Sequence, residues 1–137
     1  MRRSGPGAPL AGAIAVLCLL AVGCSSGGGN EVSATSGQRF DPESVIVKTG
    51  DTVTFTNNSD EAHSVTAYGS RIPPDAEYFS SGDLSSEREA REDIGETLLE
   101  EGDVYEVTFD VAGTFEYFCI PHEQQGMTGT VIVEGTG

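Results

Sequence analysis

Residues 113–133 read GTFEYFCIPHEQQGMTGTVIV. Phe115 and Tyr117 alternate with Thr114 and Glu116, and Thr128 to Val133 is rich in β-branched residues, so both ends of the stretch carry the period of two expected of strands. The connection between them, Phe118 to Met127, presents a thiol, an imidazole and a thioether in the spacing Cys-x2-His-x4-Met. The stretch is therefore predicted to be a hairpin whose loop carries Cys119, His122 and Met127.

Working outward, the same period recurs. Ser44 to Lys48 is β-branched, Val53 and Phe55 alternate within Thr52 to Thr56, and Tyr105, Val107 and Phe109 alternate with Glu106, Thr108 and Asp110. Turn chemistry separates these runs at Thr49-Gly50-Asp51, Asn57-Asn58-Ser59-Asp60 and Ala112-Gly113. Several short half-apolar strands at this spacing predict an all-β fold, an antiparallel β-sandwich or barrel. One segment differs. Over Asp83 to about Gly95, Ser86 and Glu89 have capping-box spacing, and Ala90, Ile94 and Leu98 follow at fours, which predicts one short helical insertion ending near Gly95. Its acidic side chains read most simply as a solvated face, with a docking surface as the alternative.

The chain has 137 residues, 22 of them acidic and seven basic, for a formal charge of −15. That length fits a single domain of ordinary size and argues against a two-lobed enzyme. The charge excludes nucleic acid as a plausible ligand, because neutralising phosphates needs clustered Lys and Arg. Partners are expected to be neutral, cationic or metallic.

At the N-terminus, Arg2 and Arg3 precede the apolar run Leu10 to Val22, which is short for a bilayer span and suited to the core of an export signal. The run ends at Ala21-Val22-Gly23-Cys24, which resembles the lipobox of prokaryotic lipoproteins and predicts cleavage of residues 1–23 and lipidation of Cys24. A secretory signal with a chance cysteine, or an uncleaved anchor, is the alternative. Cleavage would leave five basic residues against 22 acidic ones, a formal −17. Residues 24–37, polar and glycine-rich, read as a flexible tether with an end-to-end distance of roughly 20 Å. The domain is expected over 38–137. It is placed on the extracellular or periplasmic side of the cell membrane, as a lipid-anchored monomer.

With Cys18 lost alongside the signal and Cys24 lipidated, Cys119 has no disulfide partner, and an unpaired thiol in an oxidising compartment suggests metal coordination. The chain contains two histidines, and Met127 is its one methionine after Met1. His63 follows the polar turn after Thr52 to Thr56, and His122, Cys119 and Met127 share the hairpin loop. Each has a bland alternative: a small buried cysteine, a gap-filling methionine, a surface histidine. Together they are the ligand types of a His2Cys copper site with a weak axial methionine.

From about Phe40 to Val133 the sequence closely resembles the cupredoxins of the plastocyanin and halocyanin type, on the strength of the Cys119-x2-His122-x4-Met127 loop, His63 upstream, Pro121 beside His122, and Gly126-Met127 leading into a β-branched strand. The resemblance implies a Greek-key cupredoxin fold, one type 1 copper ion, and His63, Cys119, His122 and Met127 as ligands. It implies that the edge of His122 reaches the surface within an apolar patch of Ile120, Pro121 and Gly126. Two positions depart from the family: Ser64 stands where asparagine is common after the first ligand, and Phe118 where plant proteins carry tyrosine before the cysteine. The first would alter the side-chain link between the ligand loops while leaving a backbone N–H for the thiolate.

Two histidines are too few for the additional copper centres of multicopper oxidases, and one available cysteine is too few for a binuclear copper centre. A Cys119/His122 hydrolase lacks an orienting acid. The expected function is therefore electron transfer without catalysis, between exported or membrane-associated redox proteins, with copper storage or delivery as the alternative. A trafficking site would be expected to be rich in methionine, and only Met127 is present. The acidity suggests a partner with a basic docking face; solubility or salt adaptation accounts for it equally well.

Overall fold

The structure, a computed structural model, describes residues 30–136. Two four-stranded sheets face each other across one apolar core. The first has the order β2-β1-β4-β6, from Glu31–Thr35 (β1), Arg39–Asp41 (β2), Thr52–Asn57 (β4) and Val104–Thr108 (β6). The second has the order β3-β8-β7-β5, from Ser44–Lys48 (β3), Thr66–Ala67 (β5), Gly113–Phe118 (β7) and Thr128–Glu134 (β8).

The alternation read from the sequence is what closes the core. Val45 and Val47 of β3, Val53 and Phe55 of β4, and Val131 and Val133 of β8 all turn inward, while their neighbours face outward or lie half-buried. Aromatic rings fill the centre. Tyr117, fully buried, sits 4.8 Å from Phe40 and 5.2 Å from Phe55 in edge-on contacts, and each such ring contributes roughly 1.5–3 kcal/mol through its removal from water. Gly129 lies opposite Tyr117 in the β7–β8 ladder, and a Cβ there would come within 2.3 Å of the tyrosine ring. Only glycine lets the two strands pair with that ring between the sheets.

Three expectations are corrected. The sheets are mixed and not purely antiparallel: β1 pairs parallel with β4, and β3 parallel with β8. Strands joined by a crossover to the other sheet need not reverse direction, a geometry that alternation within single strands does not encode. The tether expected over 24–37 is also too long at its C-terminal end. Glu31–Thr35 is β1, with Val32 and Ala34 in the core, so the domain expected from residue 38 begins at least seven residues earlier. The signal over 1–23 and Cys24 lie outside the described residues. Finally, the helix expected over 83–95 is two short pieces, Glu87–Glu92 (α1) and Ile94–Thr97 (α2), broken at Asp93. Gly95 is inside the second piece, and Ile94 is exposed. The start was read correctly, since Ser86 caps α1 by accepting from the Glu89 N–H. The Glu89 carboxylate closes the cap on Ser85, one residue earlier than the capping box implies. Among the described residues no helix is long and apolar enough to cross a membrane.

This architecture brings the segments that carry the candidate ligands to one end. The connection between β4 and β5 carries His63, and the connection between β7 and β8 carries the rest, with β5 paired to β7 at Thr66 and Phe118.

Candidate metal centre

Cys119 follows β7 directly, and its N–H donates to the Met127 carbonyl at 3.0 Å, so the two ends of the loop are pinned together. Between them Ile120–Gln125 forms a 3-10 turn with Pro121 at its start. Gly126, at φ 82°, ends the turn in the left-handed region that glycine enters without steric cost, and its N–H returns to the Glu123 carbonyl at 3.0 Å. The turn lifts His122 back over Cys119.

His63 arrives from the other loop. It is fully buried and bridges to Leu99, donating to its carbonyl at 3.2 Å and accepting from its N–H at 2.7 Å. Its Nδ1 lies 3.7 Å from Cys119 Sγ, and His122 Nδ1 lies 3.5 Å from the same sulfur. The ligand atoms of His63, Cys119 and His122 all lie within 4.8 Å of one another. Met127 is fully buried beside them, with its N–H on the His122 carbonyl at 3.2 Å.

The outer nitrogens are occupied as a metal site requires. Ser59 Oγ lies 2.9 Å from His63 Nε2. The Ser59 hydroxyl has its own acceptors, Asn57 Oδ1 at 3.0 Å and the Glu61 carbonyl at 3.2 Å, so its oxygen accepts from His63 Nε2–H. That fixes the tautomer with an unprotonated Nδ1 facing the thiol, the role outer hydrogen bonds play around metal-bound histidines. Asn57 is anchored in turn through Nδ2 to the Glu61 and Leu99 carbonyls at 2.7 and 2.8 Å. On the other imidazole, His122 Nε2 is 3.4 Å from a carboxylate oxygen of Glu61. Asn57, Ser59 and Glu61 were not identified from the sequence, where Asn57 and Ser59 read only as turn residues.

Burial sets the protonation of these side chains. Desolvation lowers the His63 pKa, aided by the neighbouring His122 and opposed by Glu61, which keeps the imidazole neutral and able to ligate. Desolvation pushes the Cys119 thiol up, against hydrogen bonds from the backbone of Ser64 and His122. A metal must therefore displace the thiol proton as it binds.

Does the donor set fit copper? The Nδ1–Sγ separations of 3.7 and 3.5 Å are short enough for one ion to bond both atoms at metal–nitrogen and metal–sulfur lengths of about 2.0 and 2.3 Å, the values of protein zinc sites. Two imidazoles and one thiolate match the His2Cys pattern of copper centres. The chain also matches the family model described as copper binding proteins, plastocyanin/azurin family, over residues 29–134.

The chain belongs to this cupredoxin family.

It is 37% identical over 95 residues to plastocyanin of Scenedesmus fuscus, an alignment covering 69% of this chain and 86% of that one. To plastocyanin of Vicia faba it is 34% identical over 101 residues, covering 74% and 93%. Among solved structures, an oxidised methionine-to-leucine mutant of amicyanin is similar with a TM-score of 0.57 and 25% identity, covering 78% of this chain and 83% of that one. The purple cupredoxin from Nitrosopumilus maritimus shares the fold at a TM-score of 0.53 and 21% identity, covering 76% and 98%. Cupredoxins of this family are copper electron carriers, not enzymes.

The departures from the family pattern resolve structurally. Ser64 keeps both links: its N–H donates to Cys119 Sγ at 3.3 Å, and its Oγ accepts from the Ile120 N–H at 2.8 Å. Phe118 is fully buried and stacks on Tyr68 with ring centroids 4.2 Å apart. Of the expected apolar patch, Pro121 and Gly126 are exposed and Ile120 is half-buried. The patch is not wholly apolar, because the Glu61 carboxylate stands at its edge against His122.

Proposed function

We propose that this cupredoxin is a type 1 copper electron carrier in which His63, Cys119, His122 and Met127 would hold the ion, the last through its thioether. The observation that carries this reading is the convergence of two Nδ1 atoms on one buried thiol, at 3.7 and 3.5 Å, with both Nε2 atoms already engaged. Copper, when bound, supplies a one-electron couple between Cu(I) and Cu(II).

The protein's contribution is to keep the donors still and dry. His63, Cys119 and Met127 are fully buried, so water does not compete for the centre. The Ser64 N–H stabilises charge on the sulfur, and the Ser59 contact holds the His63 ring in one orientation. His122 is the ligand nearest solvent, with 14% of its side chain accessible, and is the route by which an electron enters or leaves. Its surroundings suit a protein redox partner, one with a cationic group to meet Glu61.

We extend the reading to location: export, removal of residues 1–23, and lipid attachment at Cys24 on the outer or periplasmic face. Copper storage is less favoured, because the donors are pre-placed and closed over where metal exchange needs access. Loading the mature protein with Cu(II) tests the assignment. An intense thiolate-to-copper absorption band, bleached reversibly by reductant and missing from Cys119→Ser, is the expected result; a colourless complex would refute it.

A further inference from the structure

The ligand loop poses a mechanical problem. Between Cys119 and Met127 its 3-10 turn buries no side chain, so its rigidity must come from contacts with neighbouring segments. The densest of these is Arg91, on the helical segment that the sequence reads as a solvated acidic face. Its guanidinium makes a two-pronged contact with Glu123, at 2.7 Å to Oε2 and 3.1 Å to Oε1. Its Nε donates to Glu87 at 2.9 Å, and its carbon lies 4.4 Å from the centroid of the Phe118 ring. Tyr68, stacked on Phe118, donates its hydroxyl to the same Glu123 oxygen at 3.2 Å.

Both residues that Arg91 grips in this region adjoin ligands: Phe118 precedes Cys119, and Glu123 follows His122. Helix α1 is built to deliver this one side chain. It has six residues, capped by Ser86, and buries only Ala90. Its other arginine, Arg88, reaches only Glu92 at 3.5 Å, with 78% of its side chain exposed. A loose pair of that kind contributes little, whereas planar bidentate pairing with aromatic stacking fixes geometry.

We propose that Arg91 is a positioning residue for the copper centre: α1 is a strut that, through Arg91, holds Phe118 and Glu123 and thereby fixes Cys119 and His122. The inference rests on the copper reading above. Arg91 is shared between Glu123 and Glu87, so Arg91→Lys, which keeps the charge, isolates the geometric part of its effect.

The test compares Arg91→Ala, Arg91→Lys and Arg88→Ala in the full chain, the last making the same charge change on the same helix. The expected result for Arg91→Ala is altered copper hyperfine splitting in the EPR spectrum, about threefold to tenfold faster release of copper to a chelator, and faster amide exchange at Gly126 and Met127 in the metal-free protein. Arg91→Lys, which keeps the charge and loses the fork, should shift in the same direction, and Arg88→Ala should match the wild type. If Arg91→Ala does not fold, Arg91→Lys decides. The proposal is overturned if the Arg91 variants match Arg88→Ala in both hyperfine splitting and amide exchange. A wild-type protein with no thiolate-to-copper band would instead overturn the copper reading and the strut's function with it, and amide exchange would still report the contact alone.

Discussion

The backbone N–H of Ser64 faces Cys119 Sγ across 3.3 Å, while the Oγ of the same serine accepts the N–H of Ile120 at 2.8 Å. One small residue thus ties the His63 loop to both the Cys119 sulfur and the residue after it. Ser64→Ala separates the two roles. It removes the acceptor for Ile120 and the partner of Thr66 Oγ1 but keeps the N–H on sulfur. Chemical denaturation of the copper-loaded protein should show a loss of about 1–2 kcal/mol, with the thiolate-to-copper band retained.

Glu61 offers a carboxylate to His122 Nε2 at 3.4 Å, with 39% of the Glu61 side chain exposed. A negative charge beside the centre favours the more highly charged Cu(II) form. Glu61→Gln should therefore raise the reduction potential. A partly exposed pair is worth about 0.2–1 kcal/mol, which corresponds to about 10–40 mV for one electron. Potentiometric titration checks the sign first; a lowered potential would contradict this account of the contact.

The hydroxyl of Ser59 holds the His63 ring through Nε2. In Ser59→Ala the imidazole keeps its place in the core but loses the bond that selects its tautomer. Copper affinity should fall by about 10-fold to 100-fold, the usual effect of losing such an outer partner. Competition with a chromophoric chelator measures it, and unchanged affinity would mean that burial alone orients the ring.

Protonation gives the metal-free protein a stability window. The His63 pKa is lowered from 6.5, so as pH falls below 6.5 the unfolded chain takes up a proton that the folded one resists, and stability is lost. The Cys119 pKa is raised from 9.0, so as pH rises past 9.0 the unfolded chain releases its thiol proton first, and stability is lost again. Thermal unfolding of the metal-free protein should show its highest midpoints between these limits. Bound copper keeps the thiolate deprotonated, so the loss that starts near pH 9.0 should be absent in the loaded form, leaving the later loss from the buried tyrosines, whose pKa values burial raises from 10.0. A midpoint in the metal-free protein that stayed flat from pH 6.5 down to about pH 5, or from pH 9.0 up to about pH 10, would contradict the His63 or the Cys119 assignment respectively.

The sequence exposed the parts of the fold that obey a local period. Ser44–Lys48 is a strand with the predicted limits because Val45 and Val47 face one core and their neighbours face solvent. Strand β5 was missed because His63 to Ala67 is buried at every position, covered by the returning insertion, and so shows no alternation. Strand β1 was hidden in a glycine-rich stretch, its two inward residues too few to mark it without the partners β2 and β4. The candidate ligands were legible because imidazole, thiol and thioether are scarce in this chain. Asn57, Ser59, Glu61 and Arg91 were not, since a turn polar group or a helix charge is chemically the same whether it faces water or a metal ligand.

A donor set already in place, as proposed here, would pass an electron with little rearrangement. X-ray absorption at the copper edge, recorded on the same loaded protein before and after reduction, tests it most directly. One short sulfur and two nitrogen neighbours are expected in both oxidation states, with similar bond lengths in each. A shell without sulfur, or loss of an imidazole on reduction, would contradict it.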